Sequence, residues 1–126
     1  MRPTPLLTVT ALVEAPTGLL LWPDLVVALL LGPRQPQPES LMIARVAGAG
    51  VLGIGVACWA ARRDMRSPAQ LSVLAAVLIY NVVIAAVLVF ATVAVRMVGI
   101  VLWPAIVFHV AMAVWCGVCS RATGER

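Results

Sequence analysis

A chain of 126 residues that is 63% hydrophobic and 11% charged lies far from soluble globular domains, in which about a quarter of residues are charged. With a mean hydropathy of +1.05 it reads as an integral membrane protein and not as a water-soluble enzyme or carrier. The net charge of +4 comes from arginines, most of which flank apolar runs, so it speaks for membrane topology and against a nucleic-acid partner.

The first apolar run covers about residues 5–22. Pro16 and Gly18 in its middle predict a kink or a loosened turn. Glu14 and Pro16 also interrupt it too deeply for a cleaved signal peptide. Trp22-Pro23-Asp24 reads as a stop and restart, followed by a short interfacial helix at about 24–31; one kinked helix over 5–31 is the alternative. The proline-rich stretch from Gly32 to Ser40 is a loop, and Ser40 is placed to cap a second span at about 41–61. A basic turn leads to Pro68, which opens a third span at about 69–91. A fourth covers about 99–119. Each is near the roughly 20 residues that cross a bilayer core. The expected fold is therefore all-α, a single-domain integral membrane four-helix bundle with a short interfacial helix after the first span.

Four crossings put both termini on the side of the Arg62 loop. That side holds Arg2, Arg62, Arg63, Arg66, Arg121 and Arg126, against Arg34 and Arg96 on the other, which predicts cytoplasmic termini. Trp22 and Trp103 fall at one interface, Trp59 and Trp115 at the other.

The span midpoints lie near Val13, Val51, Tyr80 and His109. Glu14, Tyr80 with Asn81, and His109 therefore share one depth on three helices, where an ionisable group costs about 2.5–3.5 kcal/mol and needs a partner or a cavity. Thr10, Glu14, Thr17 and Gly18 share a face at helical spacing. His109 shares its own with Ala105, Met112, Ala113 and Cys116. Arg45 is six residues from its midpoint, about 9 Å along the axis, and either snorkels outward or reaches toward Glu14. Two readings follow. Glu14, Asn81 and His109 hydrogen-bond one another and fix helix register, or Glu14, Thr17, Arg45, Tyr80, Asn81 and His109 line a site for a lipophilic ligand or a proton path.

Two motifs match stronger signatures by letter. Gly48-Ala49-Gly50-Val51-Leu52-Gly53 has the GxGxxG spacing, but no strand precedes it. Ala49, Gly53 and Ala57, like Val51 and Gly55, are better read as small residues that admit a neighbouring helix. Trp115-Cys116-Gly117-Val118-Cys119 resembles the thioredoxin-type redox motif. It ends a membrane helix, however, whereas that motif begins one. Cys58 is expected at the same depth, so a three-thiol redox cluster of Cys58, Cys116 and Cys119 stands beside the reading of ordinary buried cysteines. His109 is the only histidine, which rules out bis-histidine haem within one chain, and the spans hold no zinc-type ligand set.

In order along the chain come Ala11-Leu12-Val13-Glu14 with Thr17-Gly18, the Trp22-Pro23 break, Leu30-Leu31-Gly32, and Ala44-Arg45-Val46-Ala47-Gly48. Tyr80-Asn81 and Trp103-Pro104 with His109 follow. The series resembles the DoxX-like group of small four-helix bacterial membrane proteins over nearly the whole chain. The resemblance implies the fold and a bacterial inner-membrane location. It also implies kinship with membrane subunits of quinone-linked sulfur oxidation, but no catalytic residue. The functional expectation is a non-enzymatic accessory subunit or a binding module for a quinone or lipid, in contact with the bilayer and with a larger complex or homo-oligomer. Redox exchange between quinone and thiols, and proton-coupled transport as an oligomer, are the alternatives.

Overall fold

The computed structural model describes residues 3–20, 25–32, 37–64 and 67–124, without the side chains of 31 and 122–124. The Trp22-Pro23-Asp24 break, Arg34 in the proline-rich loop, and Arg2, Arg66 and Arg126 of the charge count lie outside the described residues. Among those described there are five helices and no strand: α1 (Pro3–Leu20), α2 (Leu25–Leu31), α3 (Pro38–Ala61), α4 (Pro68–Val93) and α5 (Leu102–Gly124).

Three helices are long and apolar enough to cross a membrane: α3, α4 and Leu102–Arg121 of α5. They point to a multi-pass membrane protein. The first helix, α1, is 18 residues long, carries Glu14 and four threonines, and is not among them. The outer surface suits lipid, since Ile79, Val82, Val83, Val87 and Phe90 of α4 are all exposed.

Helix α1 runs unbroken through Pro16. Proline removes one backbone donor and crowds the preceding turn. The carbonyl that loses its helical donor is that of Leu12, and next to it the Thr17 hydroxyl donates to the Val13 carbonyl at 2.8 Å. The start of α3 differs from expectation. Gln37 is its N-cap and Pro38 its opening residue, with no side-chain cap bond, so Ser40 lies inside the first turn. Proline's fixed φ suits that opening position, and it has no N–H to leave unpaired. Helix α4 opens on Pro68 in the same way, with Ser67 as a true cap that accepts from the Gln70 N–H at 3.0 Å.

The long helices associate as two pairs, α1 along α3 and α4 along α5, and the pairs meet more lightly through α3–α4 and α1–α5. The short α2 ends on Gly32, whose φ of +85° is the left-handed turn that glycine adopts freely. Its last turn is tied to the α4–α5 connection, because the Val101 N–H donates to the Leu29 carbonyl at 3.2 Å. Gly99 lies against Leu30 with no room for a side chain. The fourth span expected from Gly99 therefore begins at Leu102, after this contact.

Candidate functional site

The inner face of α1 is set by Thr10, Glu14 and Gly18, spaced by four residues and all buried. Gly18 lets α1 approach α3 so closely that a methyl group there would lie 2.6 Å from the Gly48 carbonyl oxygen and the Leu52 nitrogen. That approach carries Glu14 into the interior, where only 2% of it is exposed. Across the seam between the helix pairs, the Tyr80 hydroxyl of α4 donates to Glu14 Oε2 at 3.1 Å. The second carboxylate oxygen, Oε1, is buried and has no hydrogen-bond partner among the described residues.

The adjoining residue of α4, Asn81, is fully buried and turns toward α5. Its amide Nδ2 donates to the Val77 carbonyl of its own helix at 2.8 Å, and its Oδ1 lies 2.8 Å from His109 Nδ1. With the amide nitrogen spent on Val77, Oδ1 must accept. Nδ1 then carries the imidazole hydrogen, and Nε2 presents a lone pair with no partner among the described residues. The imidazole is held edge-on by Tyr80, with centroids 5.7 Å apart, and by Phe108 at 5.4 Å. Tyr80 is thus the hinge of the layer, bonded to Glu14 through its hydroxyl and packed on His109 through its ring.

The remaining candidates are peripheral to this layer. Thr17 is half-buried, and its hydroxyl is engaged with Val13 of its own helix. Arg45 is half-buried on α3 with a guanidinium nitrogen 3.9 Å from Met42 Sδ. The side chain that bonds Glu14 is Tyr80.

Toward the other end of the bundle, Cys58, Cys116 and Cys119 are buried cysteines outside any disulfide, within one apolar cluster that includes Leu6, Leu7, Leu74 and Met112. Among the described residues no group of three or more His, Cys, Asp or Glu side chains is placed to hold a metal ion. Sequence reasoning passed over Gln70, which is buried and donates from Nε2 to the Ala61 carbonyl at 2.9 Å. That bond gives the Ala61 carbonyl, which also accepts from the Asp64 N–H at 3.1 Å, a second donor and ties α4 to the end of α3. The signal was a lone amide in the first turn of an apolar helix, just after the Ser67 cap.

No family model, no characterised protein and no solved structure matches this chain. The likeness to DoxX-like proteins accordingly stands on its short motifs alone.

Proposed function

We propose that the protein is a small, non-enzymatic integral membrane protein with four crossings, in which α1 joins the three apolar helices and α2 lies along the interface. In this reading the buried polar layer holds the headgroup of a lipophilic ligand, a quinone or lipid, and the protein works alone or as an accessory subunit of a larger complex or homo-oligomer. It resides in a bacterial inner membrane with cytoplasmic termini. The DoxX-like resemblance belongs to the same proposal, as a statement about fold.

The observation that carries the reading is the buried Oε1 of Glu14, which has no partner among the described residues. A buried acceptor left unmade costs about 1–3 kcal/mol, and more when charged. The cluster also offers the open lone pair of His109 Nε2. With Glu14 ionised, both open atoms are acceptors, so the matching headgroup donates hydrogen bonds, as a quinol or lipid hydroxyl does and a quinone carbonyl does not. With Glu14 protonated, Oε1 donates instead and takes a quinone carbonyl. The redox form that the site prefers therefore reports the charge on Glu14.

The test is purification from native membranes followed by extraction and identification of bound lipids and quinones, for wild type and Glu14→Gln. We expect a retained headgroup-bearing lipid or quinone in wild type and about tenfold weaker retention in the variant, equivalent to about 1.4 kcal/mol for one lost hydrogen bond. A wild-type protein recovered as a lone monomer with a dry, ligand-free centre overturns both the ligand and the subunit form of the proposal. Equal retention by Glu14→Gln removes the ionised form of Glu14 from it, since the amide donates as a protonated carboxyl does, and equal retention by Glu14→Leu as well removes Glu14 altogether.

The gathering of Cys58, Cys116 and Cys119 in one cluster favours a second reading, in which electrons pass between quinone and these thiols. Quinone reduction that survives replacement of Cys116 and Cys119 by serine closes that route.

A further inference from the structure

The connection between α4 and α5 carries a charge that the polar layer does not use. After Val93 the Ala94 N–H donates to the Phe90 carbonyl at 2.8 Å, and the Met97 N–H turns back to the Ala91 carbonyl at 3.1 Å. Between them Arg96 adopts a φ of +55°, the one described non-glycine residue in the left-handed region. Its side chain is exposed and has no hydrogen bond or ion pair among the described residues. Beside it opens a cleft of about 340 Å³, lined by Thr92, Arg96, Val98, Leu102 and Trp103 among others, with no carboxylate among the described lining residues.

The position of the cleft decides what it can meet. It lies where two helices, each able to cross a membrane, are joined, which is the depth of lipid headgroups in a spanning protein. Its surroundings are unusually apolar for a loop: Val98 is 78% exposed, Ile100 80% and Trp103 63%. An exposed guanidinium with no described partner, set among exposed aliphatic side chains and a tryptophan, matches a molecule with an anionic head and apolar tails.

We propose that this cleft binds the phosphate-bearing headgroup of an anionic phospholipid. The Arg96 guanidinium takes two phosphate oxygens through its fork of N–H donors. Trp103 borders the headgroup at the interface, and Val98 and Ile100 lie along the acyl chains. The site is separate from the polar layer and stands whether or not that layer binds a ligand.

Native mass spectrometry of the full chain, released from nanodiscs of phosphatidylcholine with a minor share of phosphatidylglycerol, tests it. Wild type is expected to retain one phosphatidylglycerol in preference to phosphatidylcholine. Arg96→Gly removes the charge while suiting the positive φ, so it should keep the fold and reduce that preference about tenfold. Arg96→Lys, a point charge without the fork, should fall between the two. Arg121→Gln, on α5 far from the cleft, should match wild type. Arg96→Gln supplies the same reading if the glycine variant does not fold. The proposal is overturned if the charge-removing variants retain phosphatidylglycerol as wild type does, or if wild type holds both lipids equally. Displacement of the lipid by inorganic phosphate alone also overturns it, since the cleft would then recognise a free anion.

Discussion

The two helix pairs of this protein are held by different physics. In α1–α3 the contact is between backbones: Gly18 meets Gly48 and Leu52, and Gly55 lies so close to α1 that a methyl group there would sit 2.7 Å from the Ala15 nitrogen. In α4–α5 the contact runs through side chains, with Asn81 bonded to His109, and with Leu74, Val77, Met112 and Cys116 in an apolar cluster that also takes in residues of α1 and α3. Lipid offers no hydrophobic drive between helices, so association rests on close van der Waals approach or on hydrogen bonds, and this chain uses one means in each pair. The first tolerates no added atom. The second tolerates a change of shape but not the loss of a partner. Between the pairs both means recur, in the shared apolar cluster and in the bonds of Tyr80 to Glu14 and of Gln70 to Ala61, the first of which leaves an acceptor to spare.

The largest effect should come from filling the glycine contact. In Gly18→Val the new side chain meets backbone on α3, which cannot rotate away, so α1 and α3 must separate. Overpacking of this kind costs about 3 kcal/mol at the upper end of its ordinary range. Reversible unfolding in mixed detergent micelles measures it, and a variant as stable as wild type would mean that the helices are not in backbone contact.

A smaller effect is expected in the other pair. In Asn81→Ala, His109→Ala and the double variant, the same unfolding assay should give a coupling of about 0.6–1.7 kcal/mol, the span for hydrogen bonds between membrane helices. Additive single effects would show that the 2.8 Å contact contributes nothing to pairing. A coupling as large as the Gly18→Val loss would erase the contrast between the pairs.

The depth of this layer was legible in the sequence, because counting from span ends puts Glu14, Tyr80, Asn81 and His109 at one level. Their pairing was not. A midpoint fixes height along a helix but not its rotation about its own axis, and rotation decides that Tyr80 faces Glu14 while its neighbour Asn81 faces His109. Arg45, six residues from its midpoint, drew attention because its long side chain could snorkel outward or reach toward Glu14. The helical character of the chain and the three most apolar helices were plain from hydropathy. The opening of α3 at Pro38 instead of after Ser40 was hidden because proline and serine both suit a helix start. The small residues of α3 were recognised as a packing device, but spacing did not say which stripe is used. Gly48 and Gly55 are buried against α1, whereas Ala49, Gly53 and Ala57 are exposed.

That last distinction gives the smallest expected effect and the sharpest control. A methyl group added at Gly53 meets nothing within 4 Å, and the same holds at Gly50. Gly53→Ala should therefore leave stability within about 0.5 kcal/mol of wild type, as surface substitutions do, while Gly55→Ala, two residues on and facing Ala15, should fall well below it. The pair of measurements fixes the rotation of α3, since a helix turned by two residues, about 200°, would exchange the two outcomes. It also fixes what lies outside the chain. If Gly53→Ala is as costly as Gly55→Ala at high protein-to-lipid ratio but harmless on dilution, then the exposed stripe is covered by another helix in the membrane. Close backbone approach would then operate between chains as well as within one.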